Sequence, residues 1–152
     1  MGIGVNHENK KFKGDLEIKP LMGNLGVLIR YKAVGTEGFE FNDERTLYNK
    51  DTILYNEEIT IICRDSNNEV SLWTLNSNIG TMHKFDLRRF RFINKNRNVI
   101  IFGFGGKLEE EVLREEITIE TWENGDISYN YSWGDAEGVF ISRSTVRMKK
   151  IN

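Results

Sequence analysis

Alternation of apolar and polar positions dominates this chain, and it is clearest between Leu113 and Lys150. Ile127, Tyr129, Tyr131 and Trp133 fall on one parity, and Ser128, Asn130 and Ser132 on the other. That period of two marks a half-buried strand. Ile117 to Trp122 alternates in the same way, and Asn124-Gly125 lies between the two runs. Asn-Gly there predicts a hairpin, because both residues tolerate the positive φ of a type I′ turn. Gly134 to Gly138 predicts the next turn, and Val139 to Lys150 a third strand.

Earlier segments extend the pattern. Residues 1–13 are polar and patternless and predict a flexible tail or loosely docked arm, leaving 14–152 as a single domain. Asp15 to Gly23 suits a short helical plug carrying Leu16, Leu21 and Met22, limited by the only proline, Pro20. Strands are predicted over Leu25–Val34, Phe39–Tyr48, Thr52–Arg64 and Glu69–Ser77, from Thr81 through Phe92, and over Val99–Phe104. Val27, Ile29, Tyr31 and Ala33 read as inward on the first; Ile53, Tyr55, Ile59, Ile61 and Cys63 share a phase on the third. The phase slips at Arg88-Arg89, where a β-bulge reconciles Phe85 and Leu87 with Phe90 and Phe92. Asp65–Asn68 and Asn94–Asn98 are turns by composition. Only Lys107–Glu116 suits a short helix. Asn56-Glu57-Glu58-Ile59-Thr60-Ile61 is echoed by Arg114-Glu115-Glu116-Ile117-Thr118-Ile119, as though two hairpins solve one problem.

Many short strands without helical crossovers predict an all-β fold, a closed or nearly closed antiparallel up-and-down β-barrel of about 8–10 strands. The interior of such a barrel holds side chains or one small ligand.

Composition narrows the partners. A formal net charge of -2 provides no overall field to attract nucleic acid or an anionic membrane. The lone Cys63 excludes an intrachain disulfide and suits a reducing compartment. The N-terminus lacks the apolar core of a secretory signal, and no run approaches the length of a membrane span. A cytoplasmic protein without a membrane partner is therefore expected, as a monomer or homodimer.

The order of parts carries a resemblance. Lys19-Pro20-Leu21-Met22-Gly23 stands as a plug before the first strand, and a continuous meander closes with Gly138-Val139-Phe140 through Lys150. This plan resembles the lipocalin-like (calycin) group, which includes the fatty-acid-binding proteins, and especially its small bacterial members of unassigned function. The chain departs from the group's motifs. Gly23-Asn24-Leu25 and Gly26-Val27-Leu28 lack the lipocalin tryptophan, and Gly35–Gly38 is too short for a helical lid. Arg143-Ser144-Thr145 and Arg147-Met148-Lys149 stand where an Arg-x-Tyr clamp belongs. The resemblance thus implies a generic small apolar ligand. The similar nitrobindin-like haem proteins use a late-strand histidine, and from Leu113 onward there is none. Haem would need His83 or a tyrosine, so no cofactor is expected.

Tyr31, Tyr55, Trp73, Tyr129, Tyr131 and Trp133 are predicted to line the interior, with His83 and Phe104 completing a ligand-binding set. Rings with polar tips orient a guest, or equally fill a core. His83 lies on the parity of Phe85. It serves as a core or rim residue, a metal or haem ligand, or a general base. Cys63, His7 and His83 lack metal-ligand spacing, and Gly103–Lys107 lacks that of a phosphate-binding loop. His83–Phe92 interleaves rings with cations, as a single-strand nucleic-acid surface does. The near-zero net charge favours an amphipathic strand with solvated arginines instead. The expected function is non-enzymatic binding or carriage of a small apolar molecule. The alternatives are an enzyme using an interior Tyr, His83 or an inward Glu such as Glu57 for acid-base work, or a cavity-less interaction module.

Overall fold

A computed structural model describes residues 1–6, 11–35, 54–77, 80–105, 114–134 and 140–150, with the backbone alone for Leu54, Tyr55 and Phe140. The strands are β1 (Gly2–Asn6), β2 (Lys11–Pro20), β3 (Gly26–Gly35), β4 (Leu54–Arg64), β5 (Val70–Asn76), β6 (Met82–Asn94), β7 (Arg97–Gly105), β8 (Arg114–Trp122), β9 (Ile127–Gly134) and β10 (Phe140–Met148). Each pairs antiparallel with its neighbours in the chain. β1 also pairs with β10, Gly2 opposite Met148 and Asn6 opposite Ser144, which closes the barrel. Closure satisfies backbone groups that an open sheet would leave at its edges. The protein is an all-β, closed, ten-stranded up-and-down barrel, consistent with a calycin-like plan.

The barrel has two ends. At the lower end lie the β2–β3, β4–β5, β6–β7 and β8–β9 turns; the opposite end, where β6 and β8 begin and β7 and β9 finish, is the upper end. Phe12, Leu72, Phe85 and Phe102 are the most deeply buried large side chains of the interior, with Ile29, Ile117, Val146 and Met148 packed around them. No helix among the described residues is long and apolar enough to cross a membrane.

Several expectations are met locally. Ile29, Tyr31 and Ala33 point inward on β3. The register of β6 against β7 shifts between Leu87 and Arg89, the bulge read from the phase slip. Asn124-Gly125 makes the β8–β9 hairpin, but only Gly125 has a positive φ, of 84°. Its N–H donates to the Trp122 carbonyl at 2.9 Å, and the Trp122 N–H donates to the Asp126 carbonyl at 3.0 Å. The turn is therefore of the kind that ends in a left-handed glycine, not type I′.

Two expectations about the N-terminus are corrected. The stretch read as a flexible tail contains β1 and the start of β2, and β1 is the strand that closes the barrel. It lacks an apolar signal because its inward positions are Gly2, Gly4 and Asn6, with Gly2 opposite Gly14 and Gly4 opposite Phe12 on β2. A Cβ on Gly4 would stand 2.2 Å from the Phe12 ring, so a side chain has no room there. The helical plug is likewise absent. Asp15 to Pro20 is extended in β2, and only Met22–Asn24 forms a 3-10 turn. Gly23 and Asn24 reverse the chain with φ of 66° and 56°, and Met22, 91% exposed, plugs nothing. The strand expected over Phe39–Tyr48 lies outside the described residues, as do 107–113 of the helix expected over Lys107–Glu116 and 135–138 of the turn expected over Gly134–Gly138. Arg114–Glu116 are extended in β8, not helical, and Gly134 ends β9.

Candidate functional site in the upper barrel

A polar bridge crosses the barrel at its waist. β4 and β9 stand on opposite walls, with four strands between them either way round. Glu58 and Thr60 face inward from β4, and Tyr129 from β9. The Tyr129 hydroxyl donates to Glu58 Oε1 at 2.6 Å. The Thr60 hydroxyl also bonds this oxygen at 2.6 Å and lies 3.0 Å from the Thr74 hydroxyl. Tyr31 stacks on Tyr129 with ring centroids 5.8 Å apart. Buried polar groups are tolerable only when so partnered. Burial, followed by the nearby Glu58 charge, pushes the Tyr129 phenol well above the ordinary tyrosine range, so it keeps its proton.

Above this bridge the interior wall carries unsatisfied polar atoms. Glu115 faces inward on β8, directly opposite Trp133 on β9 and Phe104 on β7. It is only 7% exposed, and its Oε2 is buried without a hydrogen-bond partner. Tyr131 lies on the same inward face of β9 as Trp133; burial first, then the nearby Glu115 charge, raises its phenol above the ordinary range. Arg143 sits in the register shift of β10 between Ser142 and Ser144. Such a bulge re-aims a side chain. Here the Arg143 guanidinium lies 3.7 Å from the centroid of the Trp133 ring, a cation–π contact, while its Nε is buried and unpartnered. His83 completes the wall. Its Nε2 is 2.9 Å from the Thr81 hydroxyl, its ring is 5.4 Å from that of Phe104, and its Nδ1 is buried without a partner. An acceptor, a cation and an imidazole nitrogen therefore stand ready in one region walled by rings. Such a region offers both a hydrogen-bond acceptor and hydrogen-bond donors beside aromatic surface.

Tyr31, His83, Phe104, Tyr129, Tyr131 and Trp133 of the predicted set thus belong to the interior, with Tyr31 and Tyr129 consumed by the bridge. The Tyr55 side chain lies outside the described residues. Trp73 is corrected. Leu72 pairs with Ile62 and Phe85, which turns Leu72 and Thr74 inward and Trp73 outward, with the Lys84 ammonium 5.9 Å from its ring. The phase of β4 is corrected for the same reason: Ile59, Ile61 and Cys63 lie on the outer wall, while Glu58, Thr60 and Ile62 face in. Glu57 is exposed, and Glu58 is the inward carboxylate. A concavity of about 860 Å³ along β2–β5 is lined chiefly by outward residues such as Arg30, Lys32, Ile59 and Leu75, and its lining also includes Tyr31 and Glu58 of the bridge.

Glu58, Thr60, Thr74, Glu115 and Arg143 were not singled out by sequence. The one available signal was the echo between Glu57-Glu58 and Glu115-Glu116. Among the described residues no group of three or more His, Cys, Asp or Glu side chains is placed to hold a metal ion. The fold sets the class, a closed antiparallel barrel with a polar, ring-walled upper interior. Compared with known proteins, the chain matches no family model and no curated protein.

Proposed function

We propose that the protein binds one small molecule in the upper barrel, above the Tyr129–Glu58 bridge, and carries it without altering it. The observation that carries this reading is Glu115, a carboxylate nine-tenths buried with one oxygen lacking any donor. An unpaired buried acceptor is costly, and a ligand N–H or O–H supplies the missing bond. Trp133, Phe104 and Tyr131 offer the apolar body of that ligand a wall of rings. The ligand is thus amphipathic, apolar over most of its surface with a donor group at one end. This refines the wholly apolar ligand implied by the lipocalin-like resemblance, whose small bacterial members share the plan. The single Cys63 fits a reducing, cytoplasmic setting.

Native mass spectrometry of freshly purified protein, with titration by an uncharged environment-sensitive dye, tests the proposal. Wild type is expected to retain a small molecule or take up dye, and Trp133→Ala and Glu115→Gln to lose about tenfold or more in affinity. A bare mass together with no dye uptake overturns it.

The same Glu115 oxygen favours a second reading, in which the carboxylate removes a proton from the bound molecule. Turnover of a ligand recovered from wild type, absent in Glu115→Gln, distinguishes an enzyme from a carrier.

A further inference from the structure

The opposite end of the barrel has a different chemistry. From Leu87 to Gly105 the chain contains five basic residues and no Asp or Glu, although the whole protein has a formal charge of -2. This stretch is the β6–β7 hairpin. β5 pairs with β6 only as far as Asp86, opposite Ser71. Beyond that point β7 is the only strand partner of β6 among the described residues, so the hairpin projects past the β4–β5 wall. Its tip is apolar where a soluble strand should be polar. Phe90 is 48% exposed, Phe92 75% and Ile93 48%, and the Phe90 and Phe92 rings meet edge to face at 4.8 Å. Arg91 and Lys95 flank them, exposed and without an ion pair among the described residues. The β2–β3 turn at the same end adds a second apolar point, Met22 and Leu25, with Lys19 beside it.

We infer that this end of the barrel docks on an anionic lipid bilayer, with Phe92 and Met22 entering the headgroup layer and Arg91 and Lys95 meeting the phosphates. Two apolar projections on separate turns at one end suit a broad surface better than a strand of nucleic acid lying along one hairpin. Self-pairing through the β6 edge is opposed by its own arginines and interrupted by the register shifts at Leu87/Arg89 and Phe92/Asn94. No spanning segment is required. Peripheral binding draws on apolar insertion together with attraction between cations and anionic lipid. The expectation of no membrane partner rested on the lack of a span and on the overall charge, and neither describes this local patch. The surface is independent of the upper-barrel site.

Flotation with vesicles of phosphatidylcholine containing a minority of phosphatidylglycerol tests the inference. Wild type is expected to float with these vesicles, to be released by salt, and not to float with phosphatidylcholine alone. Arg91→Gln and Lys95→Gln should each weaken partitioning about fivefold, and Phe92→Ser and Met22→Ser about tenfold each. Because these side chains are exposed, the variants should melt with wild type, which separates lost docking from lost folding. Failure of wild type to float overturns the inference, as does flotation unaffected by Phe92→Ser. Tight binding of a single-stranded oligonucleotide, abolished by the same substitutions and without flotation, also overturns it in favour of a nucleic-acid surface.

Discussion

Tyr129 donates its phenolic proton to Glu58 across the full width of the barrel, at 2.6 Å and between residues 71 positions apart in the chain. The bond ties opposite walls of the barrel together. Removing it by Tyr129→Phe leaves Glu58 with the Thr60 donor alone. Urea unfolding should show a loss of about 1.5–3 kcal/mol, the usual value of a hydrogen bond to a charged group. A double-mutant cycle with Glu58→Gln should return a coupling of at least about 0.5 kcal/mol. Additive losses would mean that the two groups do not interact.

The same bond predicts an alkaline limit. Tyr129 has a folded pKa raised above its unfolded value, which is about 10. The stabilisation is fully present below that pH. Above it the unfolded chain releases the proton and the folded chain retains it, so stability falls by about 1.4 kcal/mol per pH unit. The fall continues until the folded phenol itself titrates. Tyr131 shifts in the same direction but is less buried, so its share is smaller. Spectrophotometric titration should show Tyr129 ionising only as the protein unfolds, and Tyr129→Phe should flatten the slope. A full complement of tyrosinate in still-folded protein would contradict this.

Glu115 sets stability against occupancy. Its unpartnered Oε2 is a cost carried by the empty protein. Glu115→Gln removes the buried charge while keeping the Tyr131 contact in reach, and should raise the stability of ligand-free protein by about 1 kcal/mol. The same variant should bind dye less well. Lower stability in thermal melts of stripped protein would mean that Glu115 serves the fold, not a ligand.

Barrel closure depends on close approach of backbones at β1. A Cβ on Gly4 would lie 2.2 Å from the Phe12 ring and 2.7 Å from the Thr145 carbonyl oxygen. Gly4→Ala should therefore cost about 1–3 kcal/mol by overpacking. Gly103 is the control: its Cβ would meet only the flexible Arg88 side chain, so Gly103→Ala should cost less than Gly4→Ala. Equal denaturation midpoints for the two variants would count against the closed register.

Strand existence was legible in the sequence because burying one face of a sheet imposes a period of two on the residues. The β9 face Tyr129, Tyr131 and Trp133, and the bulge at Arg88, could be read for that reason. The choice of face could not be read wherever both parities carry plausible core residues. The echoed segments show this best. On β8 the isoleucines Ile117 and Ile119 point in, whereas on β4 the matching Ile59 and Ile61 point out and Glu58 and Thr60 point in. A shift of one residue exchanges every side chain between faces. What selects the phase is the pairing with neighbouring strands, which local sequence does not contain.

An all-β meander, several of its turns and most of its strand boundaries were legible in the residues alone, because hydrogen-bonded hairpins are local and stamp alternation and turn chemistry on adjacent residues. Only the tertiary structure decided that β1 closes the barrel and that Trp73 faces outward. It also decided that Glu58, Glu115 and Arg143 join the aromatic interior. Those outcomes depend on distances between residues remote in the chain, set by register and closure around the whole ring of strands.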